Sequence, residues 1–187
     1  MRQAVRWLAA VALTACLAAS CGSSGGSAKP STTTATPATD ASPVTTRDEL
    51  KDQILADYRK ANNAYHDAIN AGDPNLPSLE ATHTGTNLLT VRTGVIKLIS
   101  KGQRGKDGPH SRDTSRATVQ QILEGKAIVH ICEIDDGMLV SAADGRVVNE
   151  RVLTLLSEAT LEHLGGIWKV SENRTLKQWE GVAGCAG

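Results

Sequence analysis

Gly125-Lys-Ala-Ile-Val-His-Ile-Cys-Glu-Ile-Asp-Asp-Gly137 is the stretch on which the fold turns. Ala127, Ile128, Val129, Ile131 and Ile134 form a near-continuous apolar run rich in β-branched side chains. A strand covered on both faces has that pattern. Glu124-Gly125 before the run and Asp135-Asp136-Gly137 after it are turn signals, so residues 126–134 read as a central strand.

Immediately upstream, residues 117–123 alternate with period two and pair back over Glu124-Gly125 as a hairpin. Downstream, 138–142 and 147–149 flank the turn Ala143-Asp-Gly145. Residues 151–163 alternate most cleanly. Leu153, Leu155, Ala159 and Leu161 point one way, and Thr154, Glu158, Thr160 and Glu162 the other. On this pattern a charge at Leu155 should be costly and one at Thr154 mild. Gly165-Gly166 then turns the chain into a strand over 167–176, where Trp168 and Val170 share a face.

The half before the strands is helical. Thr46-Arg-Asp-Glu49 is a capping box, and Leu50, Ile54, Tyr58, Ala61, Tyr65, Ala68 and Ile69 follow at steps of three and four. A helix over 47–71 ends at Gly72, and Asp73-Pro-Asn-Leu-Pro77 blocks its continuation. A short helix is expected over 78–84. A longer one over 86–101 carries Leu88, Leu89, Val91, Val95, Leu98 and Ile99 on a broad apolar face and stops at Gly102. Residues 103–115, rich in glycine and charge, read as a solvated loop. Helices first and an antiparallel meander second define an α+β domain over 47–187, its N-terminal helices packed on one face of a curved antiparallel sheet.

The first 46 residues are of a different kind. Arg2 and Arg6 precede an apolar stretch from Trp7 to Ala19, shorter than the roughly 20 residues a membrane span needs. Leu17-Ala-Ala-Ser-Cys21 resembles a bacterial lipobox, in which the cysteine is lipidated and becomes the mature N-terminus. Leu13-Thr-Ala-Cys16 is the alternative, but Cys21 leaves an apolar stretch of ordinary length and is followed directly by Gly22-Ser-Ser-Gly-Gly-Ser. An unlipidated secretory signal is the plainer alternative. Residues 22–46 are Ser, Thr, Ala, Gly and Pro, a composition that cannot bury enough surface to offset its ordering entropy, so a disordered tether is expected. The reading is therefore a lipid-anchored protein on the extracytoplasmic face of the cell membrane.

Composition narrows the function. The 187 residues are 40% hydrophobic and contain no Phe, which leaves the core to Leu, Ile, Val and Ala. Formal net charge is zero, and removing a leader that carries Arg2 and Arg6 leaves two more acids than bases. That balance gives no electrostatic case for nucleic acid.

Glu124-Gly-Lys-Ala-Ile-Val-His-Ile-Cys132, Asp144-Gly-Arg-Val-Val148, Gly166-Ile-Trp-Lys-Val170 and Cys185, in that order, resemble a set of secreted actinobacterial lipoproteins. The leader and the exit Ala71-Gly-Asp-Pro74 of the first helix fit as well. The resemblance covers roughly 47–187 and implies the cone-shaped fold of nuclear transport factor 2 and ketosteroid isomerase, without implying an activity. In that family an acidic residue often precedes the strand cysteine, whereas this chain has Ile131.

Chemistry-bearing residues are few. In an exported protein Cys132 and Cys185 meet an oxidising environment, and a disulfide between them is expected over two free thiols. His130 and Cys132 share a strand face, but no further paired motif completes a metal site, and no cofactor is expected. Tyr58, His66, His83, His130 and Asp135 are the candidates for proton transfer, and Tyr58, His66, His130 and Trp168 for a pocket inside the cone. None is paired by local spacing with a second acid or base, and Asp135-Asp136-Gly137 reads first as a turn. Gly105-Lys106 lacks the context of a phosphate loop, and Gly22-Ser-Ser24-Gly-Gly26 that of a hydrolase nucleophile. Two functions stand: a non-enzymatic envelope domain binding a partner protein or small apolar ligand, and an isomerase or dehydratase working inside the cone. A cavity lined by His or Asp would favour the second, and an interior filled by Leu, Ile and Trp168 the first.

Overall fold

The computed structural model describes residues 45–185. The leader with Cys16 and Cys21, and the linker as far as residue 44, lie outside the described residues.

Helix α1 (Arg47–Ala71) begins with the capping box the sequence implies. The Thr46 backbone N–H donates to Glu49 Oε2 at 2.7 Å, and the Glu49 N–H donates to Thr46 Oγ1 at 3.3 Å. Gly72 ends the helix in the left-handed region, with φ of 67°. Helix α2 (Pro77–Thr82) starts on a proline, where the missing N–H is no loss, and α3 (Gly85–Ser100) follows. Ala64 and Ala68 of α1, Leu79 of α2 and Val91 and Val95 of α3 form one apolar cluster. The apolar face of α3 is narrower than its sequence suggests: Leu89 is 67% exposed, and Ile96 and Ile99 are exposed as well.

The main sheet has the order β2-β3-β6-β7, with β2 (Ala117–Leu123), β3 (Lys126–Asp135), β6 (Leu153–Leu164) and β7 (Ile167–Glu180), all antiparallel. β3 is central, paired without interruption to β6 from Lys126–Glu162 to Asp135–Leu153. β7 runs four residues past the expected end and is bulged at two points, opposite Leu156–Ser157 and Thr160–Leu161. Bulges add local twist. A second sheet has the order β1-β4-β5, with β1 (Gln103–Lys106), β4 (Met138–Ser141) and β5 (Val147–Asn149). β1 corrects the reading of 103–115 as loop. Its Gln-Arg-Gly-Lys sequence carries no apolar alternation, and pairing with β4 supplies what propensity does not. Gly105 lies so close to α1 that a Cβ there would stand 2.8 Å from Asn70 Oδ1.

α1 covers one half of one face of the main sheet. Ile54, Tyr58 and Ala61 pack on Val129, Ile131, Ala159 and Leu161, each buried. Full burial of an Ile or Leu side chain stabilises by roughly 1.5–3 kcal/mol. Trp168 closes this core, and its backbone N–H donates to Asp57 Oδ2 at 3.1 Å.

One end of the opposite face is covered by the chain's own tail. After β7, residues 181–185 cross back over β6, and Cys185 bonds to Cys132 with Cα atoms 6.1 Å apart. The expected disulfide is present, and the tail reaches Cys132 by travelling across β6. Thr154 is consequently 0% exposed. Its hydroxyl donates to Gly181 O at 2.7 Å, and a Cβ on Gly184 would stand 2.6 Å from its side chain. Alternation along β6 holds as read, but the polar face is not solvent-facing at this end. The tail supplies a cover that the strand pattern alone could not reveal.

Candidate functional site

The core cluster occupies only part of the sheet face that α1 covers. Along β3, Ala127, Val129 and Ile131 are buried in it, and the same alternation then brings Glu133 and Asp135 to that face. Along β6, Leu161 and Ala159 are in the core, while Ser157, Leu155 and Leu153 continue past it. Where the apolar filling stops, a cavity of about 650 Å³ opens between α1, α3, β3 and β6 and is partly open to solvent. Its wall is mixed: Val91 and Leu98 from α3, Leu153 and Leu155 from β6, Met138 and Leu139 from β4, and Tyr58, Tyr65 and His66 from α1.

Glu133 is the chemical centre of this cavity. Burial pushes its carboxyl up to about 7, and the charge of Asp135 adds to the shift. Asp135 is raised too, again by burial first, although it ends β3 and keeps solvent contact. Tyr58 is 4% exposed, and burial, followed by the charge of Glu133, holds its phenol in the neutral form. Tyr65 is exposed at the cavity edge instead of buried on the helix face, and burial of its phenol with the charges of Asp135 and Glu133 raises it as well.

His66 stands at the cavity edge and belongs to a polar tie. Its Nδ1 lies 3.1 Å from Asp107 Oδ1, and Arg112 bridges Asp107 at 2.6 Å and Asp67 at 2.8 Å. Burial holds the imidazole below its ordinary value, against the opposing charge of Asp107. Burial raises Asp107, but hydrogen bonds from Asn70 and Arg112 outweigh it and leave the carboxyl low. The 107–115 segment is thus fastened to α1, not a freely solvated loop. It is also fastened to the turn after β3: Asp136 accepts from the His110 N–H at 3.0 Å and from Ser111 Oγ at 2.8 Å. His83 lies in the wall with its Nδ1 3.3 Å from Leu79 O, and burial lowers it to about 4, so it is neutral.

Two of the expected pocket residues are elsewhere. His130 projects to the opposite face of the sheet, where its Nε2 lies 3.1 Å from Glu158 Oε2, because it is one residue out of phase with Val129 and Ile131. Trp168 is buried in the apolar core, with its indole N–H unpartnered. Tyr58, His66, His83 and Asp135 are brought together around the cavity. Glu133 is not among the candidates named from the sequence, although counting by twos from Ala127 reaches it on the core face. Cys132, held in the disulfide, cannot ligate a metal, and among the described residues no group of His, Cys, Asp and Glu is placed to hold one.

Fold and site together define an α+β domain with helices on an antiparallel sheet and a carboxyl-bearing cavity between them. No protein-family model matches the chain. No curated protein matches it either. Among solved structures, it is similar to the intermembrane-space region of the chloroplast protein ARC6, at 14% identity and a TM-score of 0.47, over 67% of this chain and 92% of that one. No helix among the described residues is long and apolar enough to cross a membrane.

Proposed function

We propose that this is a lipid-anchored cell-envelope protein whose domain, of the cone type seen in nuclear transport factor 2, binds a small molecule in the cavity around Glu133. One observation carries the reading: two carboxyls on the core face of a central strand meet open space instead of packed side chains. The volume, about 650 Å³, falls in the range that takes a drug-sized ligand. Membrane attachment through Cys21 rests on the leader sequence, and partner-protein binding has no comparable surface argument behind it.

The test is native mass spectrometry of protein purified from its own membrane. A retained small molecule and a lipid adduct at Cys21 are the expected result. Leu155→Trp, which fills the cavity from β6, should lose the small molecule and keep the adduct. A parent protein that retains nothing, and whose stability no small molecule alters, would refute the binding reading.

A second reading has its own observation, the lining of the cavity by His66, His83 and Asp135. A carboxyl held at about 7 beside apolar walls is suited to give and take a proton near neutral pH. If the domain is an isomerase or dehydratase, the retained molecule is converted on incubation, and Glu133→Gln stops the conversion while keeping the molecule bound.

A further inference from the structure

We infer that the cavity takes an organic cation, a protonated amine on an apolar body, held by Glu133 and Asp135 and faced by the rings of Tyr58 and Tyr65. This rests on the binding reading above and narrows it to one ligand chemistry.

The argument is an inventory of charge around the cavity. From β3 come two carboxyls, and neither is in an ion pair among the described residues. Of the bases in the wall, all but Lys106 are committed or neutral. His66 faces Asp107 at 3.1 Å, and it is the one base whose charge bears on Asp135. His83 is buried against Leu79 O and uncharged at neutral pH. Arg151 is bonded to Glu180, its Nε 3.2 Å from Oε2. Lys106 of β1, exposed and next to the inward Gly105, also borders the cavity and is in no ion pair among the described residues. Asp107 is the remaining acid; Arg112 neutralises it, and His66 Nδ1 lies within hydrogen-bond distance of it.

The cavity thus offers two carboxyls against one uncommitted base, the exposed Lys106. A cation entering it supplies the missing partner and makes charge-assisted hydrogen bonds to the carboxyls. The aromatic contribution points the same way, because a ring face attracts a cation. Tyr58 is deeply buried and borders the open space. The remaining wall, Val91, Leu98, Leu153, Leu155 and Met138, is suited to the apolar body of the ligand. An anionic ligand would meet repulsion from both carboxyls, and a neutral one would leave them unpaired.

Proton balance gives the inference a second signature. Near pH 6 the Glu133 carboxyl holds its proton. A bound ammonium stabilises the ionised form, so binding releases a proton from Glu133 to the buffer. Near pH 8.5 that proton is already gone, and binding should release none.

The experiment is calorimetry on the full-length chain with three matched probes: naphthylmethylamine, naphthylmethanol and naphthoate. The expected result is an amine preference over the alcohol of about tenfold or more. Proton release, read from buffers of different ionisation enthalpy, should approach one at pH 6 and vanish at pH 8.5. Glu133→Gln should erase both the preference and the release, and Asp135→Asn should weaken the preference. Leu155→Trp should block all binding. If the alcohol or the carboxylate binds as tightly as the amine, and Leu155→Trp blocks it, the cation class is overturned while the cavity reading stands. If the amine binds equally well to Leu155→Trp, it sits elsewhere and the inference falls. If no probe binds the parent, both the inference and the cavity reading fall.

Discussion

Glu133→Gln should make the protein more stable at alkaline pH and leave it unchanged at acid pH. The carboxyl sits at about 7 in the fold against an ordinary 4.5. That difference is worth about 3 kcal/mol, at 1.36 kcal/mol per unit, in the limit of a dry cavity. The sign follows from which state holds the proton. Between 4.5 and 7 the folded protein keeps the proton that the unfolded chain releases. Stability from this group is therefore fully present below about 4.5 and lost as pH rises through 7. Glutamine keeps the shape and has no charge to bury. For a domain of this size, 3 kcal/mol corresponds to a rise in thermal midpoint of roughly 6–12 °C at pH 8. The assay is urea denaturation of parent and variant at pH 4.5, 6 and 8, compared pairwise. Pairwise comparison matters because His83 pulls the other way. Its folded value of about 4 lies below its ordinary 6.5, so the stability it gives is present above 6.5 and lost as pH falls toward 4. That loss is common to both proteins and cancels. Parallel stability profiles for parent and variant across this range would show that Glu133 is solvated like a surface carboxyl, and the argument for a buried acid would fail.

The remaining predictions concern the rest of the molecule. Thr154→Asp should destabilise by more than about 2 kcal/mol, since a charge there has the tail pressed on it; a thermal midpoint within a degree of the parent would contradict the covered face. Reduction, or Cys185→Ser, should lower stability by about 4 kcal/mol at most, the entropic value for a loop of this length, with chemical denaturation as the measure. It should also expose the amides that the tail covers on β6, read by hydrogen exchange at 154–156. Cys21→Ala should release the protein from membranes in fractionation, whereas Cys16→Ala should not; the reverse pattern would place the lipid on Cys16.

Much of this fold could be read from periodicity. The capping box at Thr46, the stop at Gly72 and the hairpin over Glu124-Gly125 are local signals, and each is where its sequence puts it. β1 was not legible, because Gln103-Arg-Gly-Lys106 has no pattern of its own and becomes a strand only against β4. The burial of Thr154 was not legible either, because its cause is a tail 27 residues further on. The site divides in the same way. Tyr58 and His66 could be nominated as single residues, but their meeting with Glu133 depends on where the apolar filling ends, and no local spacing states that. His130 shows the converse: it is nominated for the pocket, although its alternation with Val129 and Ile131 places it on the other face of the sheet.

The position of Glu133 is hard to account for as packing alone. On the core face of β3 the order is Ala127, Val129, Ile131, Glu133, Asp135, so one strand passes from full burial to paired acids within a few residues. A strand that only needed to cover the core would continue with Val or Ile. The carboxyl instead destabilises the fold at neutral and alkaline pH, by the amount worked out above. Opposite it, β6 places Leu155 and Ser157, and α1 places Tyr58, so three elements stop short of filling the same space. The structure therefore leaves a gap and sets an ionisable group beside it, where a ligand that pairs with the carboxylate would recover the lost stability by binding. That coupling is measurable without knowing the natural ligand. An occupant that pairs with the carboxylate should raise the thermal midpoint of the parent most at alkaline pH, where Glu133 is ionised and unpaired, and should raise that of Glu133→Gln by less.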